Sequence, residues 1–122
     1  MCGALALKQS FAGQGTLAEY VSLPVGLLAL KPKEMSWSEA AGSGVAGQTV
    51  NTVLKAAGGL IGKEKRVLIN GASGGIGTIL VQRVKAEEAV VVGVCSKGNF
   101  GLVTELGADE VGAALVANSN CD

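Results

Sequence analysis

Residues 66–95 constrain the fold more than any other stretch of the chain. Arg66-Val67-Leu68-Ile69-Asn70 is a short apolar run with charge before it and glycine after it, the form of a strand. Gly71-Ala72-Ser73-Gly74-Gly75-Ile76-Gly77 follows as a tight glycine-rich turn. The spacing then predicts a helix from about Gly75 to Ala86, with Ile76, Ile79, Leu80 and Val84 on a shared face. Ala89-Val90-Val91-Val92-Gly93-Val94-Cys95 is nearly all apolar and β-branched, which suits a strand buried on both faces of a parallel sheet. Strand, turn, helix and strand make one βαβ unit, and the fold class is therefore α/β.

The turn carries a chemical implication. Ala72-x-Gly74-x-x-Gly77 at the first turn of a βαβ unit is the context of the phosphate fingerprint of Rossmann-type, doubly wound parallel sheets. Gly74 would let backbone come close to a pyrophosphate, and Gly77 would let the helix pack on the strand. The N–H groups at the helix start, including those of Gly75 and Ile76, then meet the anion with the helix dipole behind them. Ala72 stands where the general fingerprint has its first glycine, a tolerable change if that position needs no positive φ. The competing reading is a glycine-rich turn, with Ser73 at its tip, that binds nothing. A nucleoside triphosphatase loop is excluded, because no Gly-Lys-Ser/Thr follows the glycines.

The end of the second strand bears on which dinucleotide. Binders of NAD place an Asp or Glu about 20 residues past the glycines to accept from the ribose 2′-hydroxyl. Here the stretch reads Val94-Cys95-Ser96-Lys97-Gly98-Asn99, with no acid. A hydroxyl and a cation suit a 2′-phosphate instead, so NADP(H) is favoured over NAD(H). The alternative is a solvated Lys97 in an ordinary loop.

Around this unit the glycines punctuate periodic segments, at 42–47, 58–62, 71–77 and 98–112. Residues 15–31 read as extended, with Leu17, Glu19 and Val21 alternating with Ala18, Tyr20 and Ser22, and a second extended piece from Leu27 to Leu30. Ser36 with Glu39 has the form of a capping box. The helix it opens, Trp37 to Ala41, is expected to break at Gly42-Ser43-Gly44, and a second to cover 46–57 and end at Gly58-Gly59. Downstream, a helix from about Asn99 to Leu106 closes at Gly107, and Asp109-Glu110-Val111 could open a third strand.

Composition removes several function classes. The 122 residues carry ten basic and ten acidic side chains, without a basic patch, so nucleic acid is not an expected partner. There is no histidine, hence no Ser-His-Asp triad and no imidazole metal ligand. Cys2, Cys95 and Cys121 are odd in number and far apart, which argues against a disulfide framework and for a reducing compartment. Cys95, inside an apolar run, reads as a small buried hydrophobe. No segment reaches the ~18 uninterrupted apolar residues of a membrane span, and the amino terminus does not read as a signal peptide. A cytoplasmic location is expected.

Lys65 to Gly77, then Val81-Gln82 and Lys85, resembles the medium-chain dehydrogenase/reductase superfamily, in particular its zinc-independent quinone oxidoreductase-like branch. Gly15-Thr16-Leu17-Ala18-Glu19-Tyr20-Val21 resembles the family's G-x-x-A-E-Y-V strand, and Leu30-Lys31-Pro32 with Ser38-Glu39-Ala40-Ala41 its entry to the inter-domain helices. Val45-Ala46-Gly47-Gln48-Thr49 resembles the helix start beside the nicotinamide, and Leu106-Gly107-Ala108-Asp109-Glu110-Val111 the lead into the third strand. The resemblance implies a GroES-like substrate domain followed by a Rossmann domain. It implies hydride transfer between NAD(P)H and a quinone or unsaturated carbonyl compound, without zinc, and a homodimer in a full-length parent. It makes Thr49 the contact near the nicotinamide, where the plainer reading is a helix N-cap. It sets the basic residue near the 2′-phosphate closer to Asn99 than to Lys97. Tyr20, the sole phenol, falls in a structural strand as a packed tyrosine, and no catalytic residue is assigned.

On this reading the chain is a fragment cut at both ends, a partial Rossmann sheet with a remnant of the substrate domain. Residues 1–35 form that remnant, 36–62 the inter-domain helices, 63–111 the first half of the cofactor domain, and 112–122 an unmatched tail. Two other functions compete. A non-catalytic remnant, or a module that folds only against a partner, is one. The other is a short-chain dehydrogenase, suggested by Asn70-Gly71-x-x-x-Gly75-Ile76-Gly77 but opposed by the lack of a Tyr-x-x-x-Lys pair.

Overall fold

Three parallel strands follow from the apolar runs after residue 65. In the computed structural model, which describes residues 4–6 and 18–113, these are β3 (Arg66–Asn70), β4 (Val90–Cys95) and β5 (Glu110–Ala113), ordered β3-β4-β5. β1 (Ala4–Ala6) and β2 (Leu28–Leu30) form a separate antiparallel pair, with Ala4 opposite Leu30 and Ala6 opposite Leu28. The helices are α1 (Trp37–Ala57), α2 (Gly75–Ala86) and α3 (Phe100–Glu105). The chain divides into two units, Met1–Thr49 and Val50–Asp122.

In the first unit, Val25–Leu27 is a single 3₁₀ turn leading into β2. The capping box opens α1 as expected. Ser36 N–H donates to Glu39 Oε2 at 2.8 Å, and Glu39 N–H donates back to Ser36 Oγ at 3.2 Å. The expected break at Gly42-Ser43-Gly44 is absent, and one helix replaces two. A glycine in a helix costs about 1 kcal/mol but forbids nothing, and no proline or second cap stands there. Helix α1 ends only where Gly58 and Gly59 take positive φ, 52° and 84°. No strand forms at 18–24 before β2, and Tyr20 is 92% exposed rather than packed in a strand. A strand needs a hydrogen-bonded neighbour, and alternation alone supplies none. Residues 15–17 lie outside the described residues, as do Cys2 and Cys121.

In the second unit, Arg66 pairs with Val90 and Asn70 with Val94, while Val92 pairs with Glu110 and Cys95 with Ala113. Gly112 and Ala113, expected in an unmatched tail, therefore belong to β5. Because side chains alternate along a strand, Val67, Ile69, Val91, Gly93 and Cys95 share one face. Val81 and Val84 of α2 and Val103 of α3 join Ile69, Val91 and Cys95 in one buried cluster, so both helices cover that face. Right-handed crossovers between strands laid down in one direction require this. The other face carries Leu68, 66% exposed, with Val92 and Val94 half-buried. The apolar run 89–95 thus reads as doubly buried, yet Val91 and Cys95 are buried on the helix-covered face while Val92 and Val94 on the other are only half-buried.

The buried stripe of α2 matches the expected one only in part, at Val84 and at Leu80, which packs against the cluster. The buried residues are Gly77, Val81 and Val84, while Ile76 is 44% exposed. Gly93 has no room for a side chain, since a Cβ there would lie 2.6 Å from Val103 Cγ1 and 3.2 Å from Ala72 Cβ. That is how closely α3 and the glycine turn approach the central strand. A carboxylate locks the far end. Asp109 accepts from Lys85 Nζ at 2.5 Å and from Val91 N–H at 2.7 Å, and its own N–H donates to Val91 carbonyl at 2.9 Å. The Lys85 hydrogen bond, then that of Val91 N–H, holds the Asp109 carboxyl below the usual carboxylate range.

Candidate functional site

The glycine turn at the C-terminal end of β3 is shaped by its backbone. Gly71 takes φ 78°, a region that favours glycine, and the N–H groups of Gly71 and Ala72 both donate to Val94 carbonyl, at 2.9 and 3.0 Å. Ala72 has no positive φ and is fully buried, which is why an alanine serves where the general fingerprint has glycine. Gly74 N–H closes the turn on Gly71 carbonyl at 2.9 Å. At Gly77 a Cβ would lie 2.1 Å from Gly71 oxygen and 2.8 Å from Ala72 Cα, so α2 rises directly against the turn. The helix meets the turn as much as the strand, a tighter contact than the fingerprint alone describes.

What remains open is the start of α2. An α-helix leaves its first N–H groups without intrahelical acceptors, here those of Gly75, Ile76 and Gly77, and the first closed turn is Thr78 N–H to Gly74 carbonyl at 2.9 Å. The N-cap, Gly74, has no side chain to cap them. A Cβ built on Gly75 meets nothing within 4 Å. Helix dipole, unclaimed donors and open space together suit an anion, so the residues present fit the diphosphate of a dinucleotide.

The structure brings three of the expected site residues together. After β4, Ser96 leads into a 3₁₀ turn, Lys97–Asn99, and Asn99 amide nitrogen donates to Ser96 Oγ at 3.0 Å and to Ser73 Oγ at 3.1 Å. The loop after β4 is thereby tied to the glycine turn. Lys97 is exposed, and no carboxylate occurs between 94 and 104. Thr49 is not an N-cap. It lies inside α1, in the first unit, and its hydroxyl donates to Val45 carbonyl at 3.0 Å. Among the described residues no group of three His, Cys, Asp or Glu side chains could hold a metal ion, and Cys95 is a buried free thiol. Gly71 belongs to the turn as the sequence indicates, whereas Val94 carbonyl, the acceptor on the neighbouring strand that ties the turn down, has no local signal in the sequence.

Comparison with known proteins decides the family. No family model matches the chain. The human protein "NAD(P)H oxidoreductase RTN4IP1, mitochondrial" is 43% identical over 101 residues, covering 80% of this chain and 26% of the relative. "Quinone-oxidoreductase QR1, chloroplastic" of Triphysaria versicolor is 40% identical over 126 residues, covering 94% and 38%. The crystal structure of the quinone oxidoreductase from Thermus thermophilus, solved also as its complex with NADPH, superposes with a TM-score of 0.75 at 33% identity, covering 83% of this chain and 34% of that one. The chain belongs to the quinone oxidoreductase-like branch of the medium-chain dehydrogenase/reductase superfamily.

As a member of that branch, it is an α/β chain with the parallel sheet of a Rossmann fold. It spans only about a quarter to two fifths of the length of these relatives. Among the described residues no helix is long and apolar enough to cross a membrane.

Proposed function

We propose that the chain contributes the pyrophosphate-binding loop of an NADP(H) site, Ala72 to Gly77, to a reductase of quinones or unsaturated carbonyl compounds. The open, uncapped start of α2 above a Gly71 turn is the observation that carries this reading. When bound, the nicotinamide supplies the hydride. This chain's own residues bind and orient: Gly75, Ile76 and Gly77 N–H groups face the pyrophosphate, and Ser96, Lys97 and Asn99 lie towards the adenosine ribose. A cation and hydroxyls with no carboxylate over 94–104 favour NADP(H) over NAD(H). Thr49 is the proposed contact near the nicotinamide. The chemistry needs no zinc, since hydride transfer to an activated double bond rests on positioning.

In this reading residues 1–35 derive from a GroES-like substrate domain, 36–62 link the domains, and 63–111 begin the cofactor domain. A homodimer and a cytoplasmic location belong to the same proposal; mitochondrial and chloroplastic relatives leave the compartment to fractionation. Thermal unfolding of the chain with NADPH and with NADH tests the binding claim. A ligand that binds only the folded state adds about 2.7 kcal/mol at a hundred times its Kd, so the transition should rise, and further with NADPH. A transition unmoved by either nucleotide would sink the reading.

A further inference from the structure

Asn99 reaches across 26 positions of sequence to Ser73 and across three to Ser96. Its amide nitrogen carries two protons and accepts nothing. Those two protons match the two contacts, one to Ser73 Oγ at 3.1 Å and one to Ser96 Oγ at 3.0 Å. Each serine oxygen is therefore the acceptor, and each serine keeps its own O–H proton. Among the described residues neither hydroxyl gives that proton to a protein group. The amide is well placed to enforce this: Asn99 is half-buried, and its N–H donates to Ser96 carbonyl at 2.9 Å within the 3₁₀ turn.

We propose that Asn99 is a positioning residue that sets the polarity of these two hydroxyls, making Ser73 a donor towards the pyrophosphate and Ser96 a donor towards a ribose 2′-phosphate. The inference rests on the cofactor reading above and deepens it. Phosphate oxygens near neutral pH are strong acceptors carrying most of two negative charges, and hydrogen bonds to charged acceptors are roughly twice as strong as neutral ones. A hydroxyl held as a donor gains most from a 2′-phosphate and less from a 2′-hydroxyl. This is the reverse of the carboxylate that accepts from the ribose in NAD binders.

Isothermal titration of the 122-residue chain with NADPH and NADH tests it, using the wild type, Ser96→Ala, Asn99→Ala, Asn99→Asp and the Asn99→Ala/Ser96→Ala double variant. Asn99→Asp turns the donor into an acceptor, draws both hydroxyl protons inward, and should cut NADPH affinity about tenfold or more, with NADH falling less. Asn99→Ala and Ser96→Ala should each lower the preference for NADPH several-fold, and the double variant should be no worse than Ser96→Ala. That lack of additivity is what a shared role requires, and a general loss of fold would not produce it. Wild-type chain that binds neither nucleotide overturns the cofactor reading and this inference together. Wild-type chain that prefers NADPH, with additive effects at 96 and 99 or a preference unchanged in both Asn99 variants, overturns the role of Asn99 alone.

Discussion

Residues 18–49 and residues 50–113 are similar in apolar content but are held by different kinds of contact. The first region, apart from the β1–β2 ladder, is marked by local contacts. Ser36 and Glu39 cap a helix three residues apart, and Lys31 Nζ donates to the carbonyls of Pro32 and Met35 while lying 5.4 Å from the Trp37 ring centre. In the second, side chains meet across 18 to 44 positions: Asp109 with Val91, Lys85 with Asp109, Asn99 with Ser73, Arg66 with Glu110. The first keeps Tyr20, Val25, Leu30 and Trp37 exposed, whereas the second buries Val81, Val84, Val91 and Val103 completely. Local contacts shape a segment; a core needs partners distant in sequence, because only they remove both sides of a residue from water.

The sharpest way to break the comparison is at Gly77. Gly77→Val places carbon on backbone that cannot yield, 2.1 Å from Gly71 oxygen, and the sheet unit is expected to lose more than about 4 kcal/mol or its cooperative urea transition altogether. Gly75→Ala, with open space and no positive φ, should instead change stability by less than about 1 kcal/mol, in the stabilising direction. Equal losses in the two would mean that the turn does not abut α2 as described.

A smaller effect separates the regions directly. Val81→Ala should cost about 1.5–3 kcal/mol from lost burial and the cavity left behind. Val25, 84% exposed, should tolerate Val25→Ala within about 0.5 kcal/mol. Urea midpoints of the two variants, at a shared slope, measure the difference; similar shifts would erase it.

The smallest effect is in acid. The folded-state pKa of Asp109 is depressed, chiefly by the Lys85 hydrogen bond and then by Val91 N–H. The stabilisation is therefore present above the unfolded-state pKa and is lost as pH falls through the depressed folded value. Glu39, lowered by its hydrogen bonds from Ser36, acts with the same sign on α1. Asp109→Asn should flatten the acid limb of the urea midpoint, and Glu39→Gln should reduce acid loss of helix signal at 222 nm. An acid limb identical to wild type in Asp109→Asn would show that the Lys85 contact does not persist in solution.

Much of the site was legible because its requirements are local. The apolar run before Gly71, the glycines through Gly77 and the β-branched run to Cys95 each predict their own backbone, and they predict one another through the βαβ connection. The capping box at Ser36 was legible for the same reason. Reading failed where a local cue competed with a wider one. Gly42-Ser43-Gly44 looked like a stop, but a helix already begun at Ser36 loses little by running through glycine. The alternation at 17–22 looked like a strand, but pairing is a property of two segments, and 18–24 found no second one.

The sequence alone determined that residues 66–95 form strand, glycine-rich turn, helix and strand, since chain connectivity, glycine sterics and β-branched sterics act within a few residues. Only the tertiary structure decided which face of α2 is buried, that Leu68 stays exposed while Ile69 is buried, and that Asn99 joins Ser73 to Ser96. Those outcomes depend on which segments the parallel sheet sets side by side, and hydrogen-bond direction between side chains 26 residues apart has no local signature.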